Sequence, residues 1–185
     1  MKFIETSIPE VCIIEPDVFG DKRGFFIESY NEQKFMDHIQ KTSDQKISFV
    51  QDNHSRSSKN VLRGLHYQIK HPQGKLVRVV SGEVFDVVVD LRKNSPTFGR
   101  WVGEILSEEN KKMLWVPPGF AHAFLVLSET TDFLYKTTDY YAPEHERTLA
   151  WNDPDLAIDW PLDGSPTLSD KDKTGTLFKQ CEVYK

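Results

Sequence analysis

Along most of the chain, apolar and polar residues alternate in short runs broken by Gly, Pro, Asn and Ser, the pattern of strands joined by tight turns rather than of alternating strand–helix units. Strands are predicted near 11–15, 24–30, 48–54, 60–68, 75–80, 83–91, 98–106, 113–117, 121–127 and 131–138. Ser81-Gly82 between two valine-rich runs reads as a hairpin connection, and Asn94-Ser95-Pro96 and Pro117-Pro118-Gly119 punctuate later strands. One helix is predicted, Glu32 to about Gln40, capped by Asn31 and carrying an apolar stripe of Phe35, Met36 and Ile39. After about residue 140 the alternation stops, and Trp151, Asn152, Asp153, Pro154, Trp160 and Pro161 mark an irregular wrapping segment too aromatic to be disordered. The expected architecture is an all-β jelly-roll barrel over residues 1–185, with one short helix in its N-terminal half. The runs Val84 to Leu91 and Ala121 to Leu127 are apolar on both parities, so both faces of these strands should be covered. A partner subunit packed on one sheet would cover them, and a homodimer is expected on that ground.

Composition changes this picture little. The chain has 185 residues, 38% hydrophobic and 28% charged, with no apolar run approaching the ~18 residues of a membrane span. The formal charge is −5 and the cations are scattered, which argues against nucleic-acid or membrane-surface binding. Lys2-Phe3-Ile4-Glu5 is no secretory leader, so the cytoplasm is the expected compartment, and Cys12 and Cys181 read as two reduced thiols.

Local chemistry concentrates in a few segments. In Val61-Leu62-Arg63-Gly64-Leu65-His66-Tyr67-Gln68, strict alternation would put Arg63 and His66 on opposite faces. If both serve one cavity, Gly64 must mark a bulge. Lys75 shares its parity with Val77 and Val79, which aims its ammonium into the barrel or leaves it snorkelling from a strand start. His122 shares a face with Phe124, and Tyr135 with Phe133. Asp86, between Val84 and Val88, must be paired or have a shifted pKa. Two histidines and a carboxylate in a cupin-like barrel invite a metal reading, but Gln68 stands where a His-x-His pair needs its second histidine, and Lys75 where an acidic ligand is sought. No metal is therefore expected. His38, His54, His71 and His145 receive no role.

Five separated motifs then carry a resemblance: Phe19 to Tyr30, Phe49-Val50-Gln51-Asp52-Asn53, Leu62 to Gln68, Gly119-Phe120-Ala121-His122 and Trp151-Asn152-Asp153-Pro154. In this order they resemble the dTDP-4-dehydrorhamnose 3,5-epimerase family, nearly end to end. The resemblance implies a homodimer with no cofactor, acting on dTDP-4-dehydro-6-deoxy-glucose in the route to dTDP-rhamnose. It implies His66 as base, Asp172 as its orienting partner, Tyr135 as acid and Lys75 as the group stabilising the enolate oxygen. Arg23, Glu28, Gln51, Asn53, Arg63, His122, Glu146 and Lys171 match substrate-contacting positions, with Arg23 and Glu28 expected to arrive from the neighbouring subunit. The alternatives carried alongside are a related epimerase inverting only C3, a metal-dependent cupin enzyme and a non-catalytic sugar-binding module.

Overall fold

The turn residues cut the chain into short strands that pair almost wholly antiparallel. In the computed structural model, which describes residues 1–40 and 47–185, the strands run β1 Lys2–Glu5, β2 Cys12–Glu15, β3 Val18–Asp21, β4 Gly24–Ile27, β5 Gln51–Ser58, β6 Leu62–Gln68, β7 Lys75–Ser81, β8 Glu83–Asp90, β9 Trp101–Ser107, β10 Met113–Val116, β11 Phe120–Val126, β12 Thr130–Thr137 and β13 Glu146–Thr148. The helices are α1 Glu32–Ile39 and the short α2 Asp170–Lys173. One sheet has the order β1-β2-β10-β7-β12-β5 and the other β13-β6-β11-β8-β9, while β3 and β4 form a separate hairpin. Two antiparallel sheets joined this way make the expected jelly roll.

Alternation along the strands sorts the apolar residues into layers. Val77, Val79, Val84, Val88, Phe124, Val126 and Phe133 meet between the sheets. On the outside of the six-stranded sheet, α1 lays Phe35 and Ile39 over Cys12, Ile14, Leu76, Met113 and Trp115. Asn31 caps that helix, accepting from the Lys34 N–H at 3.1 Å, and Phe35 is 1% exposed, a burial worth about 2–3 kcal/mol.

The double-sided apolar strands have a different cause from the one expected. Val87, Val89, Ala121 and Ala123 on the outside of the five-stranded sheet pack under Leu149, Leu156, Trp160, Phe178 and Tyr184 of the same chain. The chain's own C-terminal segment, not a partner, provides this cover, so these strands carry no argument for a dimer. The strand expected near 24–30 is shorter, Gly24–Ile27, and pairs with an unexpected strand, Val18–Asp21, in the hairpin β3–β4. This hairpin stands out, with Phe19, Phe25 and Phe26 at 63%, 62% and 67% exposure.

Candidate active site

The site opens where β6 departs from regular pairing with β11. His122 pairs with His66 and Phe124 with Arg63, so β6 carries one more residue than its partner between these pairs. Gly64 makes this possible: its φ is +121°, and a Cβ there would lie 2.5 Å from the Ala123 Cβ and 2.6 Å from the His122 carbonyl oxygen. The expected bulge is present, and it turns Arg63 and His66 into one cavity.

That cavity measures about 720 Å3. The five-stranded sheet contributes Arg63, His66, His122 and Glu146, and the six-stranded sheet Gln51, Asn53, Lys75 and Tyr135. Lys171 and Asp172 arrive from α2. His66 and Tyr135 therefore approach the same space from opposing sheets.

His66 Nε2 lies 2.6 Å from Asp172 Oδ1, and Ser169, the cap of α2, donates its hydroxyl to Asp172 Oδ2 at 2.7 Å. A carboxylate on Nε2–H fixes the ring tautomer and leaves Nδ1 as the basic nitrogen. Burial draws His66 below the usual imidazole range, against Asp172, which favours the charged ring. Burial also acts to raise Asp172, but His66, Ser169 and Lys171 outweigh it and hold the carboxyl low. Burial raises the Tyr135 phenol, so it keeps its proton through neutral pH. The Lys75 ammonium is drawn down to about 8 by burial, opposed by Asp86 and Glu146.

Most of the remaining candidates also converge. Gln51 donates to Asn53 Oδ1 at 2.9 Å, Arg63 donates to Ser57 Oγ at 2.9 Å, and Lys171 pairs with Glu146 at 2.9 Å. Asp86 and His122 form a buried pair at 2.9 and 3.0 Å. Arg23 and Glu28 do not reach the cavity of their own chain. Arg23 lies in the turn of the β3–β4 hairpin and pairs with Asp21 at 2.5 Å, while Glu28 pairs with Lys34 at 2.8 Å. Gln68 commits its amide to the backbone of His71, Tyr140 and Ala142, so it is no substitute ligand for a metal. Among the described residues, no three His, Cys, Asp or Glu side chains gather as an ion would need. Among the cavity residues that the sequence reading gave no role are Tyr141 and Ser169. Tyr141, which donates to Glu146 at 3.2 Å, lies in a loop with no periodic signal, and Ser169 carries only the generic signature of a helix cap.

A tautomer-fixed imidazole facing a protonated phenol, with an ammonium beside them, is equipment for moving protons on carbon next to a carbonyl, the chemistry of a sugar epimerase. Comparison with known proteins agrees. The model of the dTDP-4-dehydrorhamnose 3,5-epimerase family matches residues 5–180. The dTDP-4-dehydrorhamnose 3,5-epimerase of Pseudomonas aeruginosa is 60% identical over 184 residues, covering 100% of this chain and 99% of its own. A crystal structure of the Legionella pneumophila dTDP-6-deoxy-D-glucose-3,5-epimerase with dTDP-4-keto-L-rhamnose superposes with a TM-score of 0.95 at 52% identity, covering 100% of this chain and 97% of that one. A 3′-monoepimerase from Streptomyces bikiniensis with dTDP-quinovose gives 0.85 at 34% identity, covering 94% and 86%. The chain belongs to the dTDP-4-dehydrorhamnose 3,5-epimerase family.

Proposed function

We propose that the protein inverts C3 and C5 of dTDP-4-dehydro-6-deoxy-D-glucose, forming dTDP-4-dehydro-L-rhamnose for dTDP-rhamnose biosynthesis. The observation that carries this reading is the placement of His66 and Tyr135 on opposing sheets around one cavity, with Asp172 on the imidazole. The C4 carbonyl acidifies the hydrogens at C3 and C5, so the substrate supplies its own electron sink and the reaction asks for no cofactor. His66 Nδ1 takes the proton, the C–H electron pair becomes a C=C bond, and the carbonyl pair moves onto O4. Lys75, helped by Arg63 or His122, stabilises that oxyanion. Tyr135 delivers a proton to the opposite face, which inverts the centre. The phenolate and imidazolium then return to their starting states by exchange with solvent. Repetition at the second carbon uses the same groups.

Gln51, Asn53, Glu146 and Lys171 hold the nucleotide sugar in this reading, and Arg23 and Glu28 of a second copy complete the site. The exposed phenylalanines of β3–β4 support that part, since an apolar surface of this kind beside Arg23, outside the chain's own cavity, is suited to packing on another molecule. The whole chain then acts as one jelly-roll domain in a cytoplasmic homodimer. Among the described residues, no helix is long and apolar enough to cross a membrane.

Incubation with the substrate in deuterated water, followed by NMR, tests the proposal. Deuterium at both C3 and C5, with product of the L-rhamno configuration, is expected. Label at C3 alone would point to the single-inversion reaction of the more distant Streptomyces relative. Tyr135→Phe should retain part of the exchange but lose full inversion, and unchanged product stereochemistry in that variant would remove Tyr135 from the mechanism.

A further inference from the structure

Asp86 has no exposed surface, faces the barrel interior between Val84 and Val88, and takes part in none of the proton transfers above. A carboxylate so placed is costly unless hydrogen bonds and opposite charge compensate it. Its two compensating groups are used differently. His122, itself 7% exposed, sets one Nε2 against both carboxylate oxygens, at 2.9 and 3.0 Å. Lys75 lines the same cavity as His122, from the opposite sheet; among the described residues no carboxylate oxygen lies within the 4.0 Å of an ion pair with its ammonium, yet Asp86 is the first charge acting to keep that ammonium protonated.

The separation matters because a contact ion pair would occupy the donors that an oxyanion must meet, whereas a counter-charge held back leaves them free. The other groups around Lys75 are poor substitutes. Glu146 of β13 is already paired with Lys171 of α2 and accepts from Tyr141. Arg63 and His66 of β6 and Tyr135 of β12 share the cavity but bring no negative charge at neutral pH. Glu104 of β9, opposite Asp86 in the sheet, is paired with Lys112 at 2.6 Å.

We propose that Asp86 is a positioning residue: tethered by His122, it supplies the counter-charge that keeps Lys75 an ammonium while leaving the N–H donors of Lys75 for the substrate oxygen. Burial and Lys171 draw Lys75 downward and Asp86 is the first opposing influence; burial raises the Asp86 carboxyl in turn, opposed by His122 and Lys75, so each of the two favours the other's charged form. Asp86 gives the enolate-stabilising role of Lys75 a physical support, and its kinetic consequences rest on the epimerase reading.

The test follows Lys75 directly, by NMR titration of the ligand-free protein labelled with 13C at the lysine ε-carbon, the signal being assigned by its loss in Lys75→Arg. In the wild type the midpoint is expected at about 8. Asp86→Asn keeps an acceptor for His122 but removes the charge, and should lower the midpoint by about one pH unit or more. His122→Phe cuts the tether, lets the carboxylate close on the ammonium, and should move the midpoint the other way. In the kinetic arm, Asp86→Asn should lower kcat about five-fold at pH 8, with its basic limb displaced to lower pH and dTDP affinity unchanged. A midpoint unmoved by Asp86→Asn, as from a carboxyl already neutral, overturns the inference, and so do shifts of the same sign in both variants. If Asp86→Asn fails to fold, His122→Phe decides alone. Opposed lysine shifts in a protein that does not turn over the sugar would leave this inference standing and overturn the epimerase reading.

Discussion

His66–Asp172 and His122–Asp86 are the same chemical pair made twice, at 2.6 and 2.9 Å, on adjacent strands facing one cavity. They differ in where the carboxylate comes from and in what the ring can reach. Asp172 arrives from 106 residues away on α2, with Ser169 holding its second oxygen, and the His66 side chain stays 24% exposed. Asp86 sits in β8, the neighbouring strand to β11, with no exposure, and the His122 side chain keeps 8%. One ring is open enough to exchange protons with a bound molecule and with solvent, whereas the other is locked into the barrel floor. In the proposed reading, openness, rather than the presence of a carboxylate, separates a base from a support.

The largest expected effect tests that separation at its source. His66→Ala should lower turnover by about 10³-fold and abolish deuterium uptake at both carbons, with calorimetric affinity for dTDP nearly unchanged. Wild-type exchange in His66→Ala, with loss in His122→Ala, would invert the comparison and would falsify the base assignment.

Asp172→Asn comes next, with a loss of about 10²-fold and a shift whose sign is fixed. The carboxylate favours the protonated ring and partly offsets the burial that lowers His66. Without it the imidazole becomes harder to protonate, so the acid limb of kcat/KM moves to lower pH even as the plateau falls. A limb moving upward would show that Asp172 does not act through the ring.

How far these pairs could be read from sequence depended on distance along the chain. The parity of Val84, Asp86 and Val88 placed a carboxylate indoors, and the conflict between Arg63 and His66 located the bulge at Gly64, because both arguments need only one strand and its alternation. The pairing of Asp172 with His66 came from family resemblance instead. It depends on how an irregular tail returns over the barrel, and no local periodicity encodes that. The same tail misled the reading of the apolar strands, since a strand covered on both sides looks alike whether the cover is a partner or the chain's own C-terminal segment. Strands β1, β3 and β13 lie outside the predicted runs because each is short and has no buried residue, whereas the equally short β2 and β10 are marked by buried apolar runs.

Gly64 joins the two pairs, because the bulge sets His66 against His122. Gly64→Ala should cost about 2 kcal/mol of unfolding free energy, since the added Cβ meets the rigid Ala123 Cβ and backbone atoms rather than the far end of a movable side chain. Chemical denaturation measures it, and a neutral result would mean that β6 can reach the same register without glycine.

The smallest effect sharpens the comparison most, because Ser169 has no counterpart at Asp86. Its hydroxyl donates to Asp172 Oδ2 at 2.7 Å while its oxygen accepts the Asp172 N–H at 3.2 Å. Removing the donor leaves more negative charge for the imidazole, so Ser169→Ala should raise the acid limb of kcat/KM by about half a pH unit, opposite in sign to Asp172→Asn, with turnover down about five-fold. Loss of the helix cap alone would lower Tm and leave the limb where it was. Ser169→Thr retains the hydroxyl and should restore the wild-type limb. If it restores stability but not the limb, the serine serves only to cap α2, and the two imidazole–carboxylate pairs are then tuned by burial alone.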